Sequence, residues 1–233
     1  MRIRYLPLAL VGAAITLPIA WVRWLGPATR GWGAGPNDLR RPLPGDDVVP
    51  EPDIVHTRAV TIDAPPSVVW PWLVQMGQGR GGLYSYELLE NLAGCDIHSV
   101  DRIVTELQDL RVGDVVSLRK GDMPAFLVHS IEPERSLVLV ARDPKTGGPV
   151  SRGTAPFSVD ESWAFTVEPV DDGRRTRLLA RSRRRTREPA GDRVFWQLME
   201  LVSLPMERKM LLGIKERAER LVGTGPEAAA PAV

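Results

Sequence analysis

The sequence predicts an α+β domain in which one strand and two short helices precede a run of antiparallel strands and a long C-terminal helix. Three observations predict it. Residues 58–76, R-A-V-T-I-D-A-P-P-S-V-V-W-P-W-L-V-Q-M, switch from strand to helix patterning across a proline pair. Five apolar or alternating runs lie between residues 115 and 185, and the last of them are joined by turn-like links such as E-P-E-R and D-D-G-R; such links favour antiparallel meanders. Residues 192–222 then keep apolar positions at helical spacing.

In the first strand, 56–63, Val60 and Ile62 alternate with Thr61 and Asp63, as in a half-buried strand. Pro65 and Pro66 end it, because proline cannot donate to a ladder. Val68, Val69, Trp70, Leu73 and Val74 carry a helix over 66–76, with Pro71 expected to kink or restart it. A glycine-rich turn follows, then a helix from Ser85 to Leu92 with Ser85 as its cap and Glu87 in its first turn. Strands are expected at Val115–Leu118 and at Ala125–Ile131, the latter with Ala125, Leu127, His129 and Ile131 on one face. Ser136–Ala141 is continuously apolar and reads as a buried strand. Ser162–Glu168 places Trp163, Phe165 and Val167 on one face, and Arg175–Arg185 is the last strand. The stretch 142–160 is rich in glycine and proline and reads as a long loop of the kind that borders binding sites. In the final helix, Val194, Leu198, Leu201 and Val202 form a stripe before Pro205, which is expected to interrupt it. Met206, Met210, Ile214, Ala218 and Leu221 form the stripe after it.

Composition excludes several classes. With 233 residues, 43% of them hydrophobic and a quarter charged, the chain is globular. A net charge of +1 gives no global pull toward nucleic acid. The single cysteine, Cys95, excludes an intramolecular disulfide framework. Tyr5–Val22 is an uncharged, mostly apolar run of 18 residues with Arg2 and Arg4 before it and Arg23 after it. That length meets the lower limit of about 17–25 residues for one membrane helix, and Trp21, Trp24 and Trp32 lie at or beyond its end. A signal peptide is the rival reading, but no clean small-x-small cleavage site follows the run. The expected organisation is a transmembrane anchor over 1–25, a Pro/Gly-rich tether over 26–53, a folded domain over 54–222 and a low-complexity tail over 223–233. The protein is accordingly expected at the cell membrane, single-pass, with the side of its soluble domain open.

A strand entering an A-P-x-x-V-W helix, followed by this order of elements, resembles the START-like, helix-grip (SRPBCC) superfamily that includes polyketide cyclases and lipid-transfer proteins. The segment G-G-L-Y-S-Y-E-L-L-E-N-L-A-G-C-D-I-H-S-V-D-R-I-V is similar to one in bacterial members of that superfamily. The resemblance covers about 54–222. It implies a curved antiparallel sheet wrapped around the long C-terminal helix, with an apolar cavity between them and a small lipophilic ligand as partner. No cofactor is expected.

Gly77, Gly79 and Gly82 match G-x-G-x-x-G, but the motif follows a helix instead of a strand, so nucleotide binding is not expected. Asp96, His98 and Asp101 have metal-ligand chemistry but no second cluster to complete a site, and no metal is expected. Tyr84, Tyr86, Glu87 and Asn91, near the expected cavity mouth, and His98 and His129 are the polar pocket candidates. Glu87 with His98 is the candidate acid/base pair for cyclisation or dehydration. Trp163, Phe165, Trp196, Met199, Met206 and Met210 are the candidate apolar wall; methionine suits a cavity that adapts to its contents. Eight arginines lie between 174 and 187, and Arg175, Arg177, Arg181, Arg183 and Arg185 share one strand face. That face reads either as a solvated sheet surface or as a contact with anionic lipid headgroups. Three functions remain: a membrane-anchored lipophilic-ligand binder, a polyketide-type cyclase or dehydratase, and a non-catalytic protein-interaction module.

Overall fold

The computed structural model describes residues 30–121, 124–150, 159–186 and 191–223. Its elements are α1 (Pro36–Arg40), β1 (Ile54–Ile62), α2 (Pro66–Val74), α3 (Glu87–Leu92), β2 (Val115–Ser117), β3 (Ala125–Glu132), β4 (Ser136–Ala141), β5 (Asp160–Val170), β6 (Arg175–Arg185) and α4 (Gly191–Gly223). The six strands form one antiparallel sheet in the order β1-β6-β5-β4-β3-β2. The sheet curves around α4, which packs chiefly on β1 and α2, giving the α+β helix-grip architecture. Trp72, Leu73 and Met76 near α2, Leu137, Leu139, Phe165 and Leu178 on the sheet, and Leu211 and Ile214 on α4 form the core.

Three local expectations are corrected. α4 runs unbroken through Pro205, since a proline removes only one ladder donor where packing holds the helix on both sides. The single-face alternation expected in β3 fails at a bulge between Val128 and Ser130, where His129 has no partner on β4 and turns outward. Ser85 does not cap α3; its hydroxyl donates to the Met206 carbonyl at 2.9 Å and ties the start of the α3 segment to α4. The anchor candidate, residues 5–22, lies outside the described residues, and among the described residues no helix is long and apolar enough to cross a membrane.

Residues 30–53, expected as part of a Pro/Gly-rich tether, contain α1 and lie along the sheet. Thr57 and Ala59 on the free edge of β1 donate to the carbonyls of Arg30 and Trp32 at 2.9 and 3.0 Å. The edge is thereby paired by the chain's own preceding segment. Gly33 permits this approach: its φ is +71°, and a Cβ there would sit 2.0 Å from the Ala59 carbonyl oxygen. Gly33→Ala is therefore expected to cost about 2 kcal/mol or more. Amide exchange would show it as lost protection at Thr57 and Ala59, with β4 and β5 unaffected.

Candidate functional site

A cavity of about 310 Å³ lies between the inner face of the sheet and α4. That is the lower end of the about 300–1,000 Å³ range of small-molecule sites. Leu83, Leu118, Pro124 and Phe126 form part of its apolar wall, and Trp163, Trp196, Met206 and Met210 complete it. Phe126 packs on Trp163 with ring centroids 5.6 Å apart, and Trp163 on Phe165 at 4.7 Å. A wider groove of about 840 Å³ on the outer side is lined largely by prolines and exposed charged residues, including two turns. The inner cavity is the candidate site because apolar rings and buried polar groups converge there.

Strand and helix periodicity bring charge to one part of its wall. In β1, His56 and Arg58 stand on the same face as Val60 and Ile62. In α4, Glu200, Ser203 and Glu207 continue the stripe of Met210 and Ile214 toward the N-terminus. In β6, Ser182 and Arg184 share the inward phase of Leu178 and Ala180. Arg58, fully buried, bonds Glu200 at 2.7 Å and also Glu207 and the Ser203 carbonyl. His56 lies between the same carboxylates, with Nδ1 3.2 Å from Glu200 Oε1 and Nε2 3.3 Å from Glu207 Oε2. The Nδ1 contact is ionic, because that atom is not aligned for a hydrogen bond. Trp163 Nε1 donates to Glu207 at 2.7 Å. Arg184 bonds Glu161 at 2.8 Å and Glu200 at 3.1 Å, and Ser182 donates to Glu161 at 2.9 Å.

Burial would favour the neutral form of each group, but the opposite charges outweigh it. Glu200 and Glu207 are held at about 2, chiefly by the His56 imidazolium and the guanidiniums of Arg58 and Arg184. Against its own burial, His56 is raised above 6.5 by the two carboxylates. Three cations thus face three carboxylates in a closed set. At neutral pH neither Glu207 nor Glu200 accepts a proton, and the imidazolium of His56 is favoured.

Glu90 reaches the cavity from α3 and differs from all of these. It is 5% exposed, and neither carboxyl oxygen has a hydrogen-bond partner among the described residues. Burial, and then the neighbouring Glu87, push it up to about 7. α3 is inverted: Leu88, Leu89 and Leu92 face outward while Glu90 is buried. Trp196 Nε1 on the cavity wall also has no hydrogen-bond partner among the described residues.

The expected site residues divide. Trp163, Trp196, Met206 and Met210 line the cavity. Phe165 is fully buried in the core beneath Trp163, and Met199 is half-buried on α4 outside the lining. Tyr84 is also core: its hydroxyl accepts from Gln75 at 3.0 Å, its ring meets Trp72 edge-on, and burial pushes it up to about 12. Tyr86 is exposed. Glu87 accepts from the Ser99 amide at 2.7 Å, and Asn91 exchanges two hydrogen bonds with the Ile97 backbone, so both serve to hold the loop after α3. His98 is 76% exposed beside Asp96, and His129 is exposed at the bulge. Glu87, His98 and His129 do not line the cavity, so the expected acid/base pair is not assembled there. Among the described residues no His, Cys, Asp and Glu group is arranged to hold a metal ion.

The arginines expected at a membrane surface instead bind the chain's own segment or neighbouring carboxylates. Arg177 bonds Asp38 and the Gly33 carbonyl; Arg181, 3% exposed, bonds Thr57, Asp46 and the carbonyls of Asp38 and Arg41; Arg183 bonds the carbonyls of Val49 and Pro50. Arg175 pairs with Asp63 and Asp171, and Arg185 lies 3.9 Å from Asp160.

His56, Arg58, Glu90, Glu161, Arg184, Glu200 and Glu207 were missed. The signal for His56 and Arg58 was their phase with Val60 and Ile62, and for the α4 glutamates their phase with Met210 and Ile214. A charged residue at those positions reads as solvent-facing when only the apolar pattern is followed. Nothing in the pattern of α3 marks Glu90 as buried.

No protein-family model matches the chain, and no curated protein sequence matches it. Among solved structures it is similar to a protein from Nitrosomonas europaea (17% identity over 77% of this chain and 99% of that one, TM-score 0.43). It is also similar to the Zhui aromatase/cyclase from Streptomyces sp. R1128 (18%, 74% and 98%, TM-score 0.43) and to a protein from Mesorhizobium loti (16%, 71% and 98%, TM-score 0.41). Similarity this distant carries no chemistry from one chain to another.

Proposed function

We propose that this protein is a START-like, SRPBCC-type domain that binds a small lipophilic ligand in the cavity between sheet and α4, and transfers or presents it. A lipid, a quinone or a polyketide-like molecule has the required character. The N-terminal apolar segment would hold the domain at the membrane. The observation that carries this reading is the cavity itself: eight apolar or aromatic residues line one space with a closed set of buried ions on part of its wall. Apolar burial would supply most of the affinity, at about 25 cal/mol per Å². The polar groups would set orientation. An interaction module with a collapsed cavity fits less well, because the space is open.

The second reading, a cyclase or dehydratase, is favoured by one feature. Glu90 is a cavity-lining carboxyl at about 7, the range suited to proton exchange at neutral pH. Such an enzyme would use Glu90 in place of Glu87 with His98. His56 and Glu207 are too firmly ionised by one another to exchange protons readily.

Uptake of the neutral fluorophore N-phenylnaphthylamine by the full chain tests the binding reading. Met206→Trp and Met210→Trp place bulk in the cavity and are each expected to weaken uptake at least tenfold, for a stability cost of about 1–3 kcal/mol. Uptake that is absent in the wild type, or unchanged in both variants, would overturn it.

A further inference from the structure

We propose that Glu90 is the polar anchor of the cavity and that it selects a lipophilic amine, an apolar molecule carrying a protonated nitrogen. This rests on the reading of the cavity as a ligand site. Glu90 is the one carboxyl in the lining with no hydrogen-bond partner on either oxygen among the described residues, and it is more than nine-tenths buried. A buried carboxylate without a partner is costly, and a ligand cation removes that cost. The other charges of the cavity do not remove it. Arg58, Arg184 and His56 are engaged by Glu161, Glu200 and Glu207. On its own helix Glu90 faces a further carboxylate, Glu87, and beyond the helix the thiol of Cys95, itself pushed up by burial and by Glu90. Arg119 acts on the Cys95 thiol, but no cation offsets the burial of Glu90 itself. The rings of Phe126 and Trp163 on the same wall favour a cation over an anion. A fatty acid carboxylate would instead bring a second negative charge beside Glu90.

The test compares n-octylamine, n-octanol and octanoate on the full chain, by calorimetry at pH 8.5 and 5.5, in the wild type and in Glu90→Gln. At pH 8.5 the wild type is expected to bind the amine at least tenfold more tightly than the alcohol, and octanoate most weakly. Acidification to pH 5.5 protonates Glu90 and shrinks the amine preference, and Glu90→Gln removes it at both pH values. A wild type that binds the alcohol but shows no amine preference at pH 8.5, or a preference that survives in Glu90→Gln, overturns the role of Glu90 and leaves the cavity reading standing. Binding of none of the three probes overturns both. Should Glu90→Gln fail to fold, the pH comparison in the wild type decides alone.

Discussion

Glu207→Leu is expected to destabilise the protein by about 3–5 kcal/mol, the usual cost of removing one partner from a buried ionic set. Glu207 is the acceptor for Arg58, His56 and Trp163 together. Its loss leaves a fully buried guanidinium with one carboxylate in place of two. Urea unfolding measures the effect. Converting His56, Arg58, Glu200 and Glu207 together to apolar residues of similar volume is expected to recover most of that loss, because desolvation of buried ions offsets much of their mutual attraction. A quadruple variant with near wild-type stability but altered ligand preference would place the value of the set in the cavity instead of in the fold.

The same set fixes the pH response. Glu200 and Glu207 fall from 4.5 to about 2 on folding. Together they contribute stability that is present above 4.5 and lost as pH falls toward 2. His56, raised above 6.5, contributes stability present below 6.5 and lost as pH rises through its folded value. Glu90 acts in the same sense: its rise to about 7 favours the folded state below 4.5, and that advantage disappears as pH rises through 7. The midpoint of thermal unfolding is therefore expected to peak on the acid side of neutrality, near pH 5, and to fall steeply below pH 4. A midpoint that rises from pH 5 to pH 8 would contradict these assignments.

Arg181→Met is the second large effect, expected to cost about 2–4 kcal/mol. The guanidinium is buried on the outer sheet face and binds Asp46 at 2.7 Å, Thr57 at 2.9 Å and two carbonyls of the 38–41 stretch. Without it, residues 30–53 lose one of their buried attachments to the sheet, and Ala59 and Leu179, against which Leu43 packs, become more accessible. Limited trypsin digestion is expected to cut after Arg40 in the variant and not in the wild type, Arg41 being protected by the proline that follows it. Arg174→Met, at an exposed turn, is expected to stay within about 0.5 kcal/mol. Equal protease resistance in wild type and Arg181→Met would show that the segment is held by something else. The docking also sets where the domain can be truncated: a cut at 54 removes the strip that pairs the β1 edge, whereas a cut near 30 keeps it.

Strong local periodicity was legible from the sequence. β4 and β6 lie at Ser136–Ala141 and Arg175–Arg185 as their patterns predict, and α4 spans the expected stretch to within one residue at each end. The aromatic face of Trp163 and Phe165 was equally plain, because alternation in a strand assigns faces directly. The cavity's chemistry was not legible, since it places His56, Arg58, Glu200 and Glu207 at positions that an apolar pattern reserves for core. Only their pairing across β1 and α4 makes burial tolerable, and pairing between elements far apart in sequence leaves no local trace. The same reason hid the docking of residues 30–53, which depends on Asp38 and Asp46 meeting Arg177 and Arg181 more than 130 residues away. His129 was misplaced by the bulge, which shifts register without a glycine or proline to announce it.

The most direct test of ligand binding is native mass spectrometry of the purified full chain, set beside an organic extract of the same sample. The account predicts one discrete lipophilic mass at near-stoichiometric level, absent from a Met206→Trp/Met210→Trp variant that remains folded. A wild-type protein that carries nothing and takes up no added apolar probe would contradict it.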